Sequence, residues 1–414
     1  MRIHPHDLLL ADLVELLQQE NTLAKHLEEC GDCQGRLRSL SPARPEPAPM
    51  AKILGWPEAA PAGGPVAELP AKPLGLEDGT SEELLAELVD RPRSERISLL
   101  RSDRRLQTSA VLRSLIERSL EQAILDPVLE EDLARLALDL ARIVAAEGSA
   151  PPPLEDLQAR AWASVGNARR LRFDFTGADE AFEKAFSYLR RGAAEPESRA
   201  LVLHLLASLR RDQRRFDDAL RLLEQAMGLL EEAGDVPGTV LLLNKISTLY
   251  ELSGRPEQAL EPLRKALERF DPESEDFRLL LCLKHNLATN LAGAGHFAEA
   301  AETLAGIGDL YNRFPDLWTR NRRTWLEARI SRGLGDPALA ESLFLAVRQG
   351  FFAQGSAYDA ALVSLELASL YAEQGKTVDV TRIAAEIFPV FSSQRIDQEA
   401  RATLALLDLT PLPG

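Results

Sequence analysis

The sequence lacks any run of apolar residues long enough to cross a membrane. A spanning helix needs about 20 consecutive apolar residues, and the 414 residues contain no such stretch. The first residues, MRIHPHDLLLADLVEL, carry acids within their apolar part, whereas a secretory signal peptide has an uninterrupted apolar region. These absences predict a protein of the cytoplasm.

Cysteine and positive charge are both scarce. Three cysteines in the whole chain cannot form the dense disulfide framework of a small secreted protein. Metal binding or a structural role for the thiols is therefore the preferred interpretation of the cysteines. The 48 Lys and Arg residues stand against 64 Asp and Glu residues, which gives a net charge of −16. Repulsion from a phosphate backbone therefore argues against a nucleic-acid partner.

The motifs of common catalytic sites are absent as well. The chain has no G-x4-G-K-[ST] phosphate loop, no H-E-x-x-H helix, no G-x-S-x-G elbow and no G-x-G-x-x-G turn. We therefore predict that the protein is not an enzyme and that it acts by binding other proteins.

Composition divides the chain into three parts. Nine prolines between residues 41 and 75 disfavour helices and strands alike, and this stretch predicts a flexible linker. Before it, residues 1–38 have leucines at helical spacing. After it, from about residue 81 to 410, apolar residues recur at i, i+3, i+4 and i+7. The predicted fold class is all-α: a small helical domain, a disordered linker and a long helical body.

The helical body repeats itself at intervals of 38 to 41 residues. Gly254, Gly295, Gly335 and Gly375 lie five residues before four of the repeat markers, where a residue that tolerates positive φ can end the first helix. Each unit is therefore predicted as helix, turn and helix. The markers are small residues in the second helix of each unit, namely Ala181, Ala219, Ala259, Ala300, Ala340 and Val380.

This pattern resembles the tetratricopeptide repeat (TPR) family, whose units carry small residues where helices cross. The matching segments include RRFDDALRLLEQAM (214–227) and GRPEQALEPLRKAL (254–267), and the resemblance covers residues 156–391 as about six units. The last unit departs from the family pattern because Val380 stands where alanine is expected. The resemblance implies an α-solenoid that binds another protein or a peptide.

The first 38 residues contain a cluster of metal-binding residue types. His26, Cys30 and Cys33 have H-x3-C-x2-C spacing, which on a helix places His26 and Cys30 on one face. Such ligands suit a tetrahedral Zn²⁺, with the fourth ligand upstream at His4 or His6. About 38 residues bury too little apolar surface to fold alone, so zinc would supply the stability. We predict structural zinc, with a redox switch that releases the metal as the alternative.

The same segment resembles the zinc-binding anti-sigma factor domain, a family of short helical domains with one early His or Cys and a later H-x3-C-x2-C. The resemblance implies that His26, Cys30 and Cys33 bind zinc, and it favours His4 over His6 as the fourth ligand. It also implies a sigma factor as the partner. The apolar residues expected at that interface are Leu8, Leu9, Leu13 and Leu17.

These features predict a cytoplasmic transcription regulator in which the zinc domain binds a sigma factor and the solenoid binds another protein or a peptide. One alternative is a TPR scaffold with a purely structural zinc module and no sigma-factor partner, and another is an accessory subunit of an enzyme. No membrane contact is expected. The predicted segments are 1–38 (zinc domain), 39–80 (linker), 81–155 (degenerate helical repeats), 156–391 (TPR-like repeats) and 392–414 (capping helix and tail).

Other chemically suggestive residues have plainer interpretations. Basic runs at 101–105, 209–215 and 319–323 could attract an acidic partner, but arginine is favoured on solvated helix faces and at helix carboxyl ends, which is our prediction here. No second metal site is predicted. The residues assigned instead to the core or surface of the repeat helices are His204, Cys282, His285 and His296.

Overall fold

In a computed structural model of the chain, the described residues are almost wholly helical and contain no strand. The structure describes residues 85–393 except residues 90, 124–125, 147–153 and 194. The predicted zinc domain, the linker and residues 394–414 of the predicted tail lie outside the described residues. The described residues form two compact units, one ending at Arg323 and the other beginning at Thr324.

The first compact unit opens with helices that precede the clear repeats. A helical segment at residues 85–89 is followed by three α-helices and one short 3₁₀ helix. Their leucines bury against the start of the first repeat helix and form one apolar core. The bounds are Arg93–Ser102 (α1), Arg104–Leu106 (the 3₁₀ helix), Ser109–Gln122 (α2) and Pro127–Ala146 (α3).

The repeats follow as pairs of helices joined by short turns. The remaining helices of the first compact unit are Leu154–Leu171 (α4), Phe175–Leu189 (α5), Pro196–Asp212 (α6), Phe216–Ala233 (α7), Val236–Leu252 (α8), Pro256–Arg269 (α9), Phe277–Gly293 (α10), Phe297–Ala305 (α11) and Gly308–Asn312 (α12). Helix α13, Leu317–Gly333, contains the boundary between the units. Those of the second unit are Pro337–Ala353 (α14), Ala357–Glu373 (α15) and Thr377–Ser393 (α16).

The repeat markers lie in the second helices and are fully buried, as the repeat pattern predicts, but the first marker was misplaced. Every other marker is the fourth residue of its helix, as Ala219 is in α7, and the fourth residue of α5 is Ala178 rather than Ala181. The two alanines lie on one helix face together with Ala185, and all three are buried. The sequence alone does not show which of the three alanines is the repeat marker. The structure does, because it shows at which residue α5 begins.

The corrected marker brings the first repeat into line with the others. Gly166 now lies twelve residues before the marker and Phe182 four residues after it. A Cβ atom built on Gly166 would lie 2.8 Å from Cε2 of Phe182. The smallest residue of α4 therefore allows the large ring of α5 to approach its backbone, and the two helices interlock.

The turn inside each repeat contains a residue in the left-handed region, and the predicted glycine turns are confirmed. Gly254 has φ of 72°, and the next amide, that of Arg255, donates to the carbonyl oxygen of Tyr250 at 2.8 Å. This bond ends the first helix in the manner of a Schellman motif. In an earlier repeat the same position is held by Arg214, with φ of 60°.

We expect Arg214→Gly to stabilise the protein by up to about 1 kcal/mol, because glycine adopts positive φ without the clash that a Cβ atom causes. Loss of the contact between the guanidinium and the ring of Phe216, 5.9 Å away, offsets part of the gain. Urea denaturation followed by circular dichroism measures the change.

The reciprocal control for Arg214→Gly is Gly335→Ala, at the equivalent turn position with φ of 85° and no atom within 4 Å of the added Cβ. That variant should lose about 1 kcal/mol through backbone strain alone. An Arg214→Gly protein less stable than the wild type would contradict the strain argument.

Candidate interaction surface of the repeats

The first helices of the repeats bury polar residues, whereas the second helices bury almost only apolar residues. Helix α8 is buried along nearly its whole length, including Asn244, Lys245, Thr248 and Glu251. The buried residues of α7 and α9 are all alanine or leucine. A buried polar group is costly unless it forms hydrogen bonds, so these polar residues must serve either packing or binding. The first helices therefore carry the candidate interaction site.

One position of the first helix is polar in every repeat: the sixth residue before the turn residue with positive φ. In the first compact unit this position is held by Asn167, Ser208, Thr248 and Thr289, all buried. We call these four side chains the polar column. The sequence signals the column only in part: Thr248 and Thr289 lie six places before a turn glycine, whereas the turn residues that follow Asn167 and Ser208 are not glycine.

The column begins in a buried hydrogen-bond network. The amide nitrogen of Asn167 donates to Oε1 of Glu130 at 3.1 Å, and its oxygen accepts from Nε of Arg170 at 3.0 Å. Arg170 in turn donates to Oδ2 of Asp212 at 2.5 Å. Burial alone would raise the pKa of Asp212, but Arg211 and Arg170 lower that pKa below its usual value. The network thereby holds α3, α4 and α6 together, and Arg170 and Asp212 form an ion pair within it.

Beside the column, two asparagine side chains join α8 to α10. Nδ2 of Asn286 donates to Oδ1 of Asn244 at 2.9 Å. An amide side chain has both a donor and an acceptor, so after this bond Asn244 retains its NH₂ group and Asn286 its oxygen. Asn286 is half-buried. Asn244 is only 3% exposed, so the accessible group of the pair is the side-chain oxygen of Asn286, which this bond leaves unused.

Two of the three histidines of the repeats lie within helices, and the third, His296, directly precedes α11. His204 is buried in α6, and burial together with the nearby Lys245 lowers its pKa well below the usual value, so the ring is neutral at pH 7. Nδ1 of His285 lies 2.5 Å from the hydroxyl oxygen of Tyr311. His296 is exposed beside Glu257, with 3.2 Å between Nε2 and Oε2.

The predicted zinc ligands His4, His26, Cys30 and Cys33, and His6 as the alternative to His4, lie outside the described residues. Cys282 is half-buried in α10. Over the part of the chain that the structure describes, no group of three or more His, Cys, Asp or Glu residues could hold a metal ion. Over that same part, no helix is both long and apolar enough to cross a membrane.

The basic run at 209–215 forms ion pairs with carboxylates of the fold itself. Arg210 lies 2.7 Å from Asp179 on α5, and Arg215 lies 2.5 Å from Asp218. The first pair joins two helices and the second stabilises the start of α7. Both agree with the prediction that these arginines have a structural role on the helices. The asparagine pair beside the polar column is therefore the candidate interaction site of this unit.

Residues 198–271 match the tetratricopeptide repeat family model. The match contains Ser208 and Thr248 of the polar column, and the helical pairs on both sides of it continue the same pattern. The body of the chain is thus built of TPR-like helical repeats. No curated protein matches the sequence.

Solved structures of similar fold include aspartyl phosphate phosphatase F from Bacillus subtilis, with 12% identity, a TM-score of 0.50, and 81% of this chain and 85% of that chain covered. A Rap protein complexed with competence and sporulation factor has 14% identity and a TM-score of 0.49, with 72% and 80% covered. The apo quorum sensor NprR from B. thuringiensis has 12% identity and a TM-score of 0.48, with 80% and 98% covered. At 12% identity, the match to aspartyl phosphate phosphatase F shows the fold alone, a TPR-like α-solenoid.

Proposed function

We propose that this protein is an interaction adaptor with two binding modules: the TPR repeats bind a protein or peptide, and an anti-sigma-like zinc domain at residues 1–38 binds a sigma factor. The observation that carries the first part is the asparagine pair of α8 and α10. An extended peptide offers one N–H per residue, and the side-chain oxygen of Asn286, which is not used in its bond to Asn244, can accept such an N–H. Since the two amides already hold each other in place, binding costs less side-chain entropy.

The donor set of the amino-terminal segment supports the second part. Two imidazoles and two thiolates, from His4, His26, Cys30 and Cys33, suit a closed tetrahedral zinc site, with His6 as the alternative first ligand. Zinc would supply the folding free energy that so short a segment lacks. A closed coordination sphere makes the metal structural, so the segment's function is binding rather than catalysis.

One capture experiment with the full-length protein tests both parts. The wild type should contain about one zinc per chain and retain a sigma factor together with a second class of partner. Cys30→Ser should lose zinc and the sigma factor, since it removes a metal ligand. Asn286→Leu should retain zinc and the sigma factor. It should bind the second partner about tenfold more weakly, which corresponds to the loss of about one hydrogen bond to a peptide.

Matched controls separate loss of the site from general damage. Cys282→Ser removes the cysteine of α10, and Asn312→Leu changes an exposed asparagine at the end of α12. Both should behave as the wild type. Zinc-free wild-type protein, or full sigma-factor binding by Cys30→Ser, would refute the zinc-dependent anti-sigma part. A zinc-containing wild type that captures no sigma factor would favour the scaffold. Equal recovery of the second partner by Asn286→Leu would refute the peptide site.

A further inference from the structure

The outward face of α14, in the second compact unit, carries no charge. Among its larger apolar side chains, Leu339 is 46% exposed, Leu345 is 43% exposed and Phe352 is 46% exposed. We call this face the α14 stripe. Its exposed residues from 338 to 353 are Ala338, Leu339, Ser342, Leu345, Ala346, Gln349, Phe352 and Ala353.

The equivalent faces of other second helices are charged. The position of Leu345 is held by Glu224 in α7 and by Arg264 in α9, counting from the marker residue of each helix. Both of these residues are exposed. Single exposed leucines are normal on a protein surface, but an apolar face that replaces the charges of its own repeats indicates a contact surface.

The charged side chains of α14 beside the stripe already have partners within the fold. Arg348 forms an ion pair with Glu386 of α16. Glu341 lies 2.9 Å from Nζ of Lys376 and accepts a hydrogen bond from the hydroxyl of Tyr371 at 3.0 Å. The stripe and its edges are therefore electrically balanced, so the surface that complements it is also uncharged.

The stripe has nearly the same chemistry when it is read in either direction. If the helix is reversed about a point midway between residues 345 and 346, each exposed residue takes the place of a similar one. Leu339 exchanges with Phe352, Ser342 exchanges with Gln349, and the two end residues that exchange are both alanine. At the centre Leu345 corresponds to Ala346. Two copies of one helix related by a two-fold axis at that centre, and packed antiparallel, bring these residues opposite each other. The large leucine then meets the small alanine, and the two polar side chains can share a hydrogen bond.

We propose that the α14 stripe is the contact between two copies of this chain, formed as a symmetric antiparallel pair of α14 helices. The whole molecule has a net charge of −16, so two copies repel each other least where an uncharged face meets its like. From Leu339 to Phe352 the helix spans about 20 Å. A contact of that size is smaller than a standard interface, and the expected dimer is weak, with a dissociation constant in the micromolar range.

Sedimentation equilibrium of the full-length protein tests the dimer. The wild type should show a monomer–dimer equilibrium, and Leu345→Glu should raise the dissociation constant about 100-fold, because it places two carboxylates beside the two-fold axis in a contact without counter-charge. The matched control is Gln225→Glu, which adds the same charge on α7 at the position equivalent to Ala346. It should leave the dissociation constant unchanged.

A mixing experiment distinguishes loss of the contact from loss of folding. Leu345→Glu and Ala346→Lys should each be monomeric and as helical as the wild type, and their mixture should form a heterodimer, since the two residues face each other across the axis. A wild type that stays monomeric at every concentration would overturn the proposal. So would a Leu345→Glu protein that dimerises as the wild type does, because the contact would then lie elsewhere.

Discussion

Glu366→Ala is expected to lower the free energy of unfolding by about 3–5 kcal/mol, the usual result of removing one member of a buried ion pair. Glu366 lies in α15 and is 4% exposed. Its Oε1 accepts a hydrogen bond from Nε1 of Trp325 at 2.8 Å and another from the guanidinium of Arg329 at 2.6 Å. The variant leaves the guanidinium of Arg329, whose side chain is 17% exposed, and the buried indole N–H of Trp325 without that acceptor.

Denaturation by guanidinium chloride, followed by circular dichroism, measures the loss of stability. An exposed ion pair that also joins α13 and α15 provides the control. Glu373 also lies in α15 and pairs with Arg332 of α13, but its side chain is 59% exposed. Glu373→Ala should cost less than about 1 kcal/mol, as solvated ion pairs do. Similar losses for the two variants would show that burial of Glu366 is not what makes its pair strong.

Gly166→Ala is expected to destabilise the protein by about 1–3 kcal/mol, although alanine is the better helix former. The added Cβ would lie 2.8 Å from Cε2 of Phe182 and 3.0 Å from two further ring carbons. Phe182 is 1% exposed, and in a close-packed interior its ring has little room to move away. Overpacking between α4 and α5 thus outweighs the gain in helix propensity.

The control for Gly166→Ala is Gly228→Ala in α7, where no atom lies within 4 Å of the added Cβ. That change should stabilise the protein by up to about 1 kcal/mol through helix propensity alone. Thermal denaturation of the two variants should therefore shift in opposite directions. A stabilising Gly166→Ala would disprove the close approach of Phe182. Combining it with Phe182→Leu should recover part of the lost stability, since the smaller side chain makes room.

The repeat architecture was predictable because it depends on properties of single residues. Close approach of two helices requires small side chains at fixed places, and a left-handed turn residue favours glycine, so both requirements leave a period in the sequence. The prediction was wrong at Ala181 because α5 contains three buried alanines on one face. It also had no signal for Arg214, whose positive φ is imposed by the surrounding repeat rather than by its own preference.

The amino-acid order alone thus established an all-helical body of TPR-like repeats, the place of its turns, and a candidate zinc-ligand set before it. Three-dimensional packing decided which polar residues are buried and what they contact: the Asn244–Asn286 pair, the network around Asn167 and the acceptor role of Glu366 all join residues 37 to 42 positions apart. The uncharged α14 stripe can likewise be recognised only from the structure, because the structure shows which residues of α14 are exposed and which are buried. Periodicity records a constraint that every repeat shares, whereas the partner of one side chain depends on which neighbouring helix the fold places beside it.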